Sequence, residues 1–222
     1  MIRVGGMTPL TTIDFPGRLS AVLFLQGCPW RCNYCHNPHL LPARAETHLE
    51  WTSVLAFLRR RQGLLDGVVF SGGEPTLQPS LLPAITQVRG LGYQIGLHTG
   101  GMYPARLRTL LPQLDWVGLD IKAPLHLYDS VTHGHGSGRK AALALRHVLD
   151  SGVAYECRTT WHPGLFPETE LRRLADELAQ AGVRHWALQA CRVDGQPHPH
   201  RMTPPELPRL GKAFETFTFR RG

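Results

Sequence analysis

The chain has 222 residues, 42% of them apolar, and a formal charge of +7, a length that supports one well-buried core. No apolar run escapes Gly, Pro or charge long enough to cross a membrane, and Met1-Ile2-Arg3-Val4-Gly5-Gly6 lacks an export leader, so a cytoplasmic address is expected. The basic residues are dispersed without aromatic interleaving, which excludes a nucleic-acid face and leaves a solvated basic surface, suited at most to an acidic electron carrier.

Along the chain, strand-like and helix-like segments alternate. Leu19–Leu25 is a short apolar run that ends just before the first cysteine. Leu49–Arg61 has helical spacing, with Trp51, Leu55 and Leu58 on one face and Thr47 as its candidate N-cap. Gly67–Phe70 reads as a buried strand broken by Ser71-Gly72-Gly73. Leu81–Arg89 follows as a helix, then Tyr93–His98 as a strand, Pro104–Leu111 as a helix and Trp116–Ile121 as a strand. Ser130–Gly138 reads as a Gly/His loop without companion carboxylates or cysteines for a metal. Lys140–Leu149 is a helix, Val153–Thr160 a strand, and Glu168–Ala181 an amphipathic helix stopped by Gly182. His185–Gln189 makes the sixth strand. Arg192–Pro205, rich in Pro and His, links to a last helix at Glu206–Phe214 and a short strand at Phe217–Arg220.

Six such alternations with short links predict parallel βαβ units, wound into an open barrel or a doubly wound sheet. A single domain over residues 1–222 is expected, with a core at about 18–190 and an extension at about 191–222. Ligands of such folds sit at the carboxyl ends of the strands. The unusual residues of this chain fall there repeatedly.

Five cysteines are present, three of them within eight residues: Cys28, Cys32 and Cys35. The spacing C-x3-C-x2-C places three thiolates in a compact loop, enough for three irons of a cubane cluster with the fourth left open. Zinc held by these thiols plus His36 or His39 is the competing reading, but structural zinc usually draws on two separated pairs. Three ordinary buried thiols fit poorly among Gly, Pro, Arg and Asn. Cys157 and Cys191 lack partners at ligand spacing and read as inert buried thiols.

Gly72-Gly73-Glu74 follows a strand, where two glycines let a backbone approach a ligand closely. Asp120 and Lys122 share one face at the end of their strand, where a lysine neutralises a carboxylate. Arg158 and Thr160 sit two apart on the next strand. Arg158 either contacts a cofactor or caps the barrel mouth.

The cysteine spacing, with aromatic Tyr34 just before Cys35, resembles the radical S-adenosylmethionine (radical SAM) superfamily. The resemblance implies a partial (β/α)6 TIM-like barrel, a 4Fe-4S cluster on the three cysteines, and S-adenosylmethionine on the open iron. It further implies that one electron cleaves the sulfonium, giving a 5′-deoxyadenosyl radical that abstracts hydrogen. Tyr34 then lies near the adenine, Gly72, Gly73 and Glu74 hold the methionine amino group, and Asp120 and Lys122 contact the methionine portion.

Further stretches resemble one family more closely. They are Gly6-Met7-Thr8-Pro9, Thr12-Ile13-Asp14-Phe15-Pro16-Gly17, Cys35-His36-Asn37-Pro38, Gly63–Gly67, Ser71–Gln78, Leu119–Pro124 and Tyr155–Thr160. Together they look like the short activating proteins of anaerobic ribonucleoside-triphosphate reductase, relatives of pyruvate formate-lyase activating enzyme. The likeness implies that His36 and Asn37 support cluster and cofactor. It implies a glycyl-radical reductase as protein substrate and flavodoxin or ferredoxin as electron donor. One departure stands out: His98-Thr99-Gly100-Gly101 replaces the family's Asp-Thr-Asn-Gly, whose Asp helps hold a monovalent cation. Imidazole is a poor ligand for such an ion, so either the cation is absent or His98 meets the cofactor carboxylate directly. The alternatives are a radical enzyme acting on a small modified-nucleoside precursor and a non-catalytic metal-binding module.

Overall fold

The structure is a computed structural model and describes residues 1–44, 49–193, 196–197 and 207–221. In chain order its strands are β1 (Val4–Thr11), β2 (Ser20–Leu25), β3 (Gly67–Gly72), β4 (Gln94–Thr99), β5 (Trp116–Asp120), β6 (Ala154–Trp161) and β7 (His185–Ala190). A small antiparallel pair, β8 (Arg192–Val193) with β9 (Gln196–Pro197), and the final β10 (Thr216–Arg220) follow. The helices are α1 (Trp51–Arg59), α2 (Leu81–Arg89), α3 (Pro104–Leu110), α4 (Tyr128–Thr132), α5 (Ser137–Ser151), α6 (Glu168–Gln180) and α7 (Leu207–Gly211).

Strands β2 to β7 run parallel in sequence order, as the short βαβ links require. They form the partial (β/α)6 barrel that the resemblance implies. The arc is extended by β1, antiparallel to β2, at one edge and by β10, parallel to β7, at the other. Alternation along each strand sorts the side chains. Leu23, Leu25, Phe70, Leu97, Val117 and Leu188 face the helices in the main core. Their neighbours Val22, Val69 and Trp116 face inward and form a second, smaller cluster with Phe15.

That inner cluster explains the segment after β1, which periodicity does not reveal as structure at all. Phe15 is 5% exposed and stacks on Trp116 with ring centroids 5.9 Å apart. Gly67 leaves the room it occupies, since a Cβ there would crowd its ring, and Gly96 borders it from the next strand. Thr11–Gly17 therefore plugs the amino-terminal end of the barrel. Truncating Phe15 to alanine should lower the unfolding free energy by about 3 kcal/mol, the usual cost of deleting a buried ring. Denaturant midpoints measure this, and a loss under about 0.5 kcal/mol, the scale of a surface substitution, would refute the plug.

Several boundaries differ from expectation. The helix expected from Leu49 begins at Trp51, because Leu49 bridges Val4 in an antiparallel contact instead. Thr47, its candidate cap, and Glu206, the expected start of the last helix, lie outside the described residues. So does most of Arg192–Pro205. The Gly/His loop at Ser130–Gly138 is largely helical: α4 runs to Thr132 and α5 starts at Ser137. Asp129 makes the early start workable. Its carboxylate accepts from Gly136 N, Ser137 N and Ser137 Oγ at 2.7–2.8 Å, supplying the cap from eight residues upstream.

Candidate active site

Every residue singled out from the sequence for cluster or cofactor lines one cavity of ≈ 230 Å³ at the carboxyl ends of the parallel strands. A larger cavity of ≈ 840 Å³ opens at the opposite end, beside Phe15 and Trp116, and contains none of them. Size alone would have chosen the wrong end; the donor chemistry decides.

The cysteine loop leaves β2 at Leu25 and is closed at its base by Gly27 N and Cys28 N, which donate to Leu40 O and Leu41 O at 2.7 and 3.1 Å. Arg31 fastens it from inside, donating to the Cys28 and Trp30 carbonyls. Cys28, Cys32 and Cys35 are half-buried thiols. Burial, reinforced by Glu74, pushes Cys28 up to about 12, and burial likewise raises Cys32 against the pull of Lys122. In the protein alone these two groups rest as neutral thiols, and a bound metal would have to displace their protons. Among the described residues no three His, Cys, Asp or Glu side chains converge on a single ion. The three soft donors line a shared cavity instead, which suits a cluster whose irons are bound separately.

Gly72 and Gly73 make a close approach to neighbouring backbone. A Cβ on Gly72 (φ 118°) would overlap the Leu25 backbone, and one on Gly73 the Gly27 carbonyl. Their N–H groups turn the same way: Gly73 N donates to Leu25 O and Glu74 N to Gly27 O, both at 2.9 Å. A ligand ammonium needs acceptors, so only carbonyls of this turn would serve it.

Glu74 departs from expectation for a related reason. Its carboxylate accepts from Thr76 N and Oγ1, Thr99 Oγ1 and Gly100 N at 2.5–3.0 Å. It is 2% exposed, and burial raises its pKa despite these donors. Glu74 thus ties the loop after β3 to the loop after β4 and holds Thr99 in place, at the wall of the same cavity.

Asp120, Lys122 and Arg158 form a charge triad. Arg158 Nε and an Nη donate to Asp120 Oδ1 at 3.1 and 2.9 Å, and Lys122 Nζ lies 3.4 Å from Oδ2. Burial pushes Asp120 up, but Arg158 and Lys122 outweigh it and hold the carboxyl below its usual range. For Lys122, burial opposes the charge while Tyr34 and Asp120 favour it, and its pKa ends well above normal. The ammonium also stands 5.6 Å from the Tyr34 ring centroid, so it bridges the strand end to the cysteine loop. Tyr34 in turn meets the ring of His36 edge-on at 6.4 Å, and Asn37 opens the short turn through Leu40.

His98 is buried on β4. Its Nε2 donates to Asp14 O at 2.9 Å, and Nδ1 faces Ser71 Oγ at 3.4 Å. Both ring nitrogens are thereby engaged inside the protein, which speaks against direct contact with a cofactor carboxylate. Burial, helped by Arg158, lowers its pKa to about 3 from 6.5. The unfolded chain therefore binds an extra proton between those values, and stability falls as pH drops through that window. The expected slope is about 1.4 kcal/mol per pH unit for this one group. In the cluster-free chain, His98→Gln should flatten the loss of stability between pH 6 and pH 4, followed by denaturant melts. An unchanged slope would count against a neutral, buried His98.

Sequence reasoning missed Trp30, Tyr128 and Gln189. Trp30 and Gln189 line the cavity, while Tyr128 stands behind it. Aromatic periodicity marks such residues only as core.

With this geometry in place, the comparisons define the class. The model of the radical SAM superfamily matches residues 22–179, and the chain belongs to that superfamily, whose members use a 4Fe-4S cluster and S-adenosylmethionine. Within it the chain is similar to a protein of Methanocaldococcus jannaschii named as a glycyl-radical enzyme activating enzyme. The two are 31% identical over 181 residues, 78% of this chain and 73% of that one. It is 35% identical over 127 residues to pyruvate formate-lyase-activating enzyme of Clostridium pasteurianum, 55% of this chain and 53% of that one. That match thus spans about half the length of the Clostridium enzyme. The fold is shared with a solved radical SAM methyltransferase from Sphaerobacter thermophilus, at TM-score 0.65 and 19% identity over 96% of this chain and 69% of that one.

Proposed function

We propose that this chain is a glycyl-radical activating enzyme whose protein substrate is an anaerobic ribonucleoside-triphosphate reductase. The observation that carries the reading is the meeting, in one cavity, of three cysteines from one loop with Asp120, Lys122 and Arg158 from two strand ends. Such a pairing of a soft-donor loop with a charge triad suits a cluster beside a zwitterionic cofactor. The similarity to activating enzymes supports the class of substrate.

In this reading Cys28, Cys32 and Cys35 hold the cluster, and Tyr34, His36 and Asn37 border the cofactor. Carbonyls at Gly72 and Gly73 receive its ammonium group, while Lys122 neutralises its carboxylate. Asp120 keeps Lys122 charged and aims both Lys122 and Arg158, and Glu74 fixes Thr99 and the loop around it. When bound, the cluster supplies one electron and S-adenosylmethionine the group that takes hydrogen from the substrate. The substrate glycine, on an extended loop, enters through the gap that the barrel leaves between its edge strands. Flavodoxin or ferredoxin serves as reductant, in the cytoplasm, and one domain carries all these parts.

The test is electron paramagnetic resonance of the reconstituted chain mixed anaerobically with the candidate reductase, S-adenosylmethionine and reductant. A glycyl doublet on the reductase is expected. Cofactor cleavage with no doublet would move the substrate to a small molecule. No cleavage at all would reduce the chain to a metal-binding module.

A further inference from the structure

The short helix α4 touches neither cluster nor cofactor positions, yet it is bonded to both sides of the site. At its first residue, Tyr128 is fully buried and its hydroxyl sits where β5 ends. The hydroxyl accepts from Lys122 N at 3.1 Å and donates to Asp120 O at 3.2 Å, so one oxygen pins the backbone carrying both charges. The ring of Tyr128 meets Trp30, which lies between Cys28 and Cys32, edge-on at 6.0 Å.

The other end of α4 holds the cysteine loop. Thr132 O accepts from Arg31 N at 2.9 Å, and Val131 O accepts from Asn33 N at 3.3 Å. One residue on, His133 Nε2–H donates to Asn33 Oδ1, between Cys32 and Tyr34. Among the described residues His133 is the one non-glycine in the left-handed region, at φ 51°. Such a conformation is disfavoured for a residue with a Cβ and persists when surrounding bonds enforce it. Those bonds are present: Thr132 Oγ1 ties back to Tyr128 O and to Ser137 Oγ, both at 2.8 Å.

We propose that α4 and the turn after it act as a strut that couples the Asp120–Lys122 turn to the cysteine loop. Tyr128 is the positioning residue at the cofactor side and His133 the latch at the cluster side. The inference rests on the site assignment above and adds a linkage to it. Cofactor binding, by settling Lys122, steadies the cysteine loop, and an ordered loop favours cofactor binding. Binding linkage of this kind is reciprocal.

The test uses the full chain, reconstituted anaerobically, with Tyr128→Phe, His133→Gly and His133→Asn. Two quantities are read on each: S-adenosylmethionine affinity by equilibrium dialysis, and the rate of iron release to a chelator; melting temperature controls for folding. Tyr128→Phe keeps the ring and should weaken cofactor affinity about tenfold while also speeding iron release severalfold. His133→Gly relieves the left-handed strain, so melting should hold. Iron release should quicken severalfold and cofactor affinity fall, with partial rescue by His133→Asn, which tolerates that conformation. If each variant moves only the quantity on its own side, or neither, the strut is wrong while the site stands. A wild-type chain that takes up no iron and binds no cofactor overturns the site assignment and the strut with it.

Discussion

Replacing Cys32 by alanine should abolish the iron–sulfur cluster. Cys28 and Cys32 are unfavourable as anions in the protein alone, Cys28 pushed up to about 12 chiefly by burial. In the proposed site metal and ligand set would be interdependent: irons would displace the thiol protons, and the three thiolates would hold the irons. Removing one of three ligands leaves two irons without protein attachment, and the loop has no other thiol to offer. Cys157 and Cys191 cannot substitute. Both are buried, and Cys157 lies on the helix-facing side of β6 within the main core. Iron and sulfide assays after anaerobic reconstitution should fall to background in Cys32→Ala and remain full in Cys157→Ala and Cys191→Ala. A full complement in Cys32→Ala would sink the assignment.

The second large effect is expected at Asp120. Asp120→Asn keeps the shape but leaves Lys122 and Arg158 facing each other with side chains 14% and 12% exposed. Breaking a fully buried ion pair costs about 3–5 kcal/mol. Asp120 itself is 35% exposed, so solvent screening reduces this to about 2 kcal/mol. The sign with pH follows from its lowered pKa. The contribution is present above the ordinary carboxylate range and is lost as pH falls through the depressed native value. Asp120→Asn should therefore lose stability at pH 7 and converge on wild type in acid. S-adenosylmethionine affinity should drop at least about tenfold, a change of about 1.4 kcal/mol, because the lysine is no longer aimed. Unchanged affinity in equilibrium dialysis would remove Asp120 and Lys122 from the cofactor side of the cavity.

How far the site could be read from sequence depended on the range of the interactions. The cysteine loop was legible because its three thiols fall within eight residues, and the structure places all three on one cavity. Asp120 and Lys122 were legible because a two-residue step returns to the same face, and the structure places them 3.4 Å apart. Arg158, left open between two roles, pairs with Asp120, its in-register neighbour on the next strand. Glu74 shows the limit. Its motif pointed toward a ligand, while its carboxylate is occupied by Thr76, Thr99 and Gly100, the last two a strand away.

The sequence by itself determined the cysteine loop, the order and type of the six βα units, and the strand ends that carry the charged residues. These rest on local periodicity and short spacings, which survive without knowledge of neighbours. Tertiary structure decided what no local pattern encodes. Phe15 plugs the barrel because Gly67 on β3 leaves its space, and His98 turns inward because Asp14 offers a carbonyl from 84 residues away. Tyr128 joins the Asp120–Lys122 turn to the cysteine loop because packing brings Trp30 against its ring. Contacts between distant segments depend on how layers stack, and stacking is a property of the whole chain rather than of any window of it.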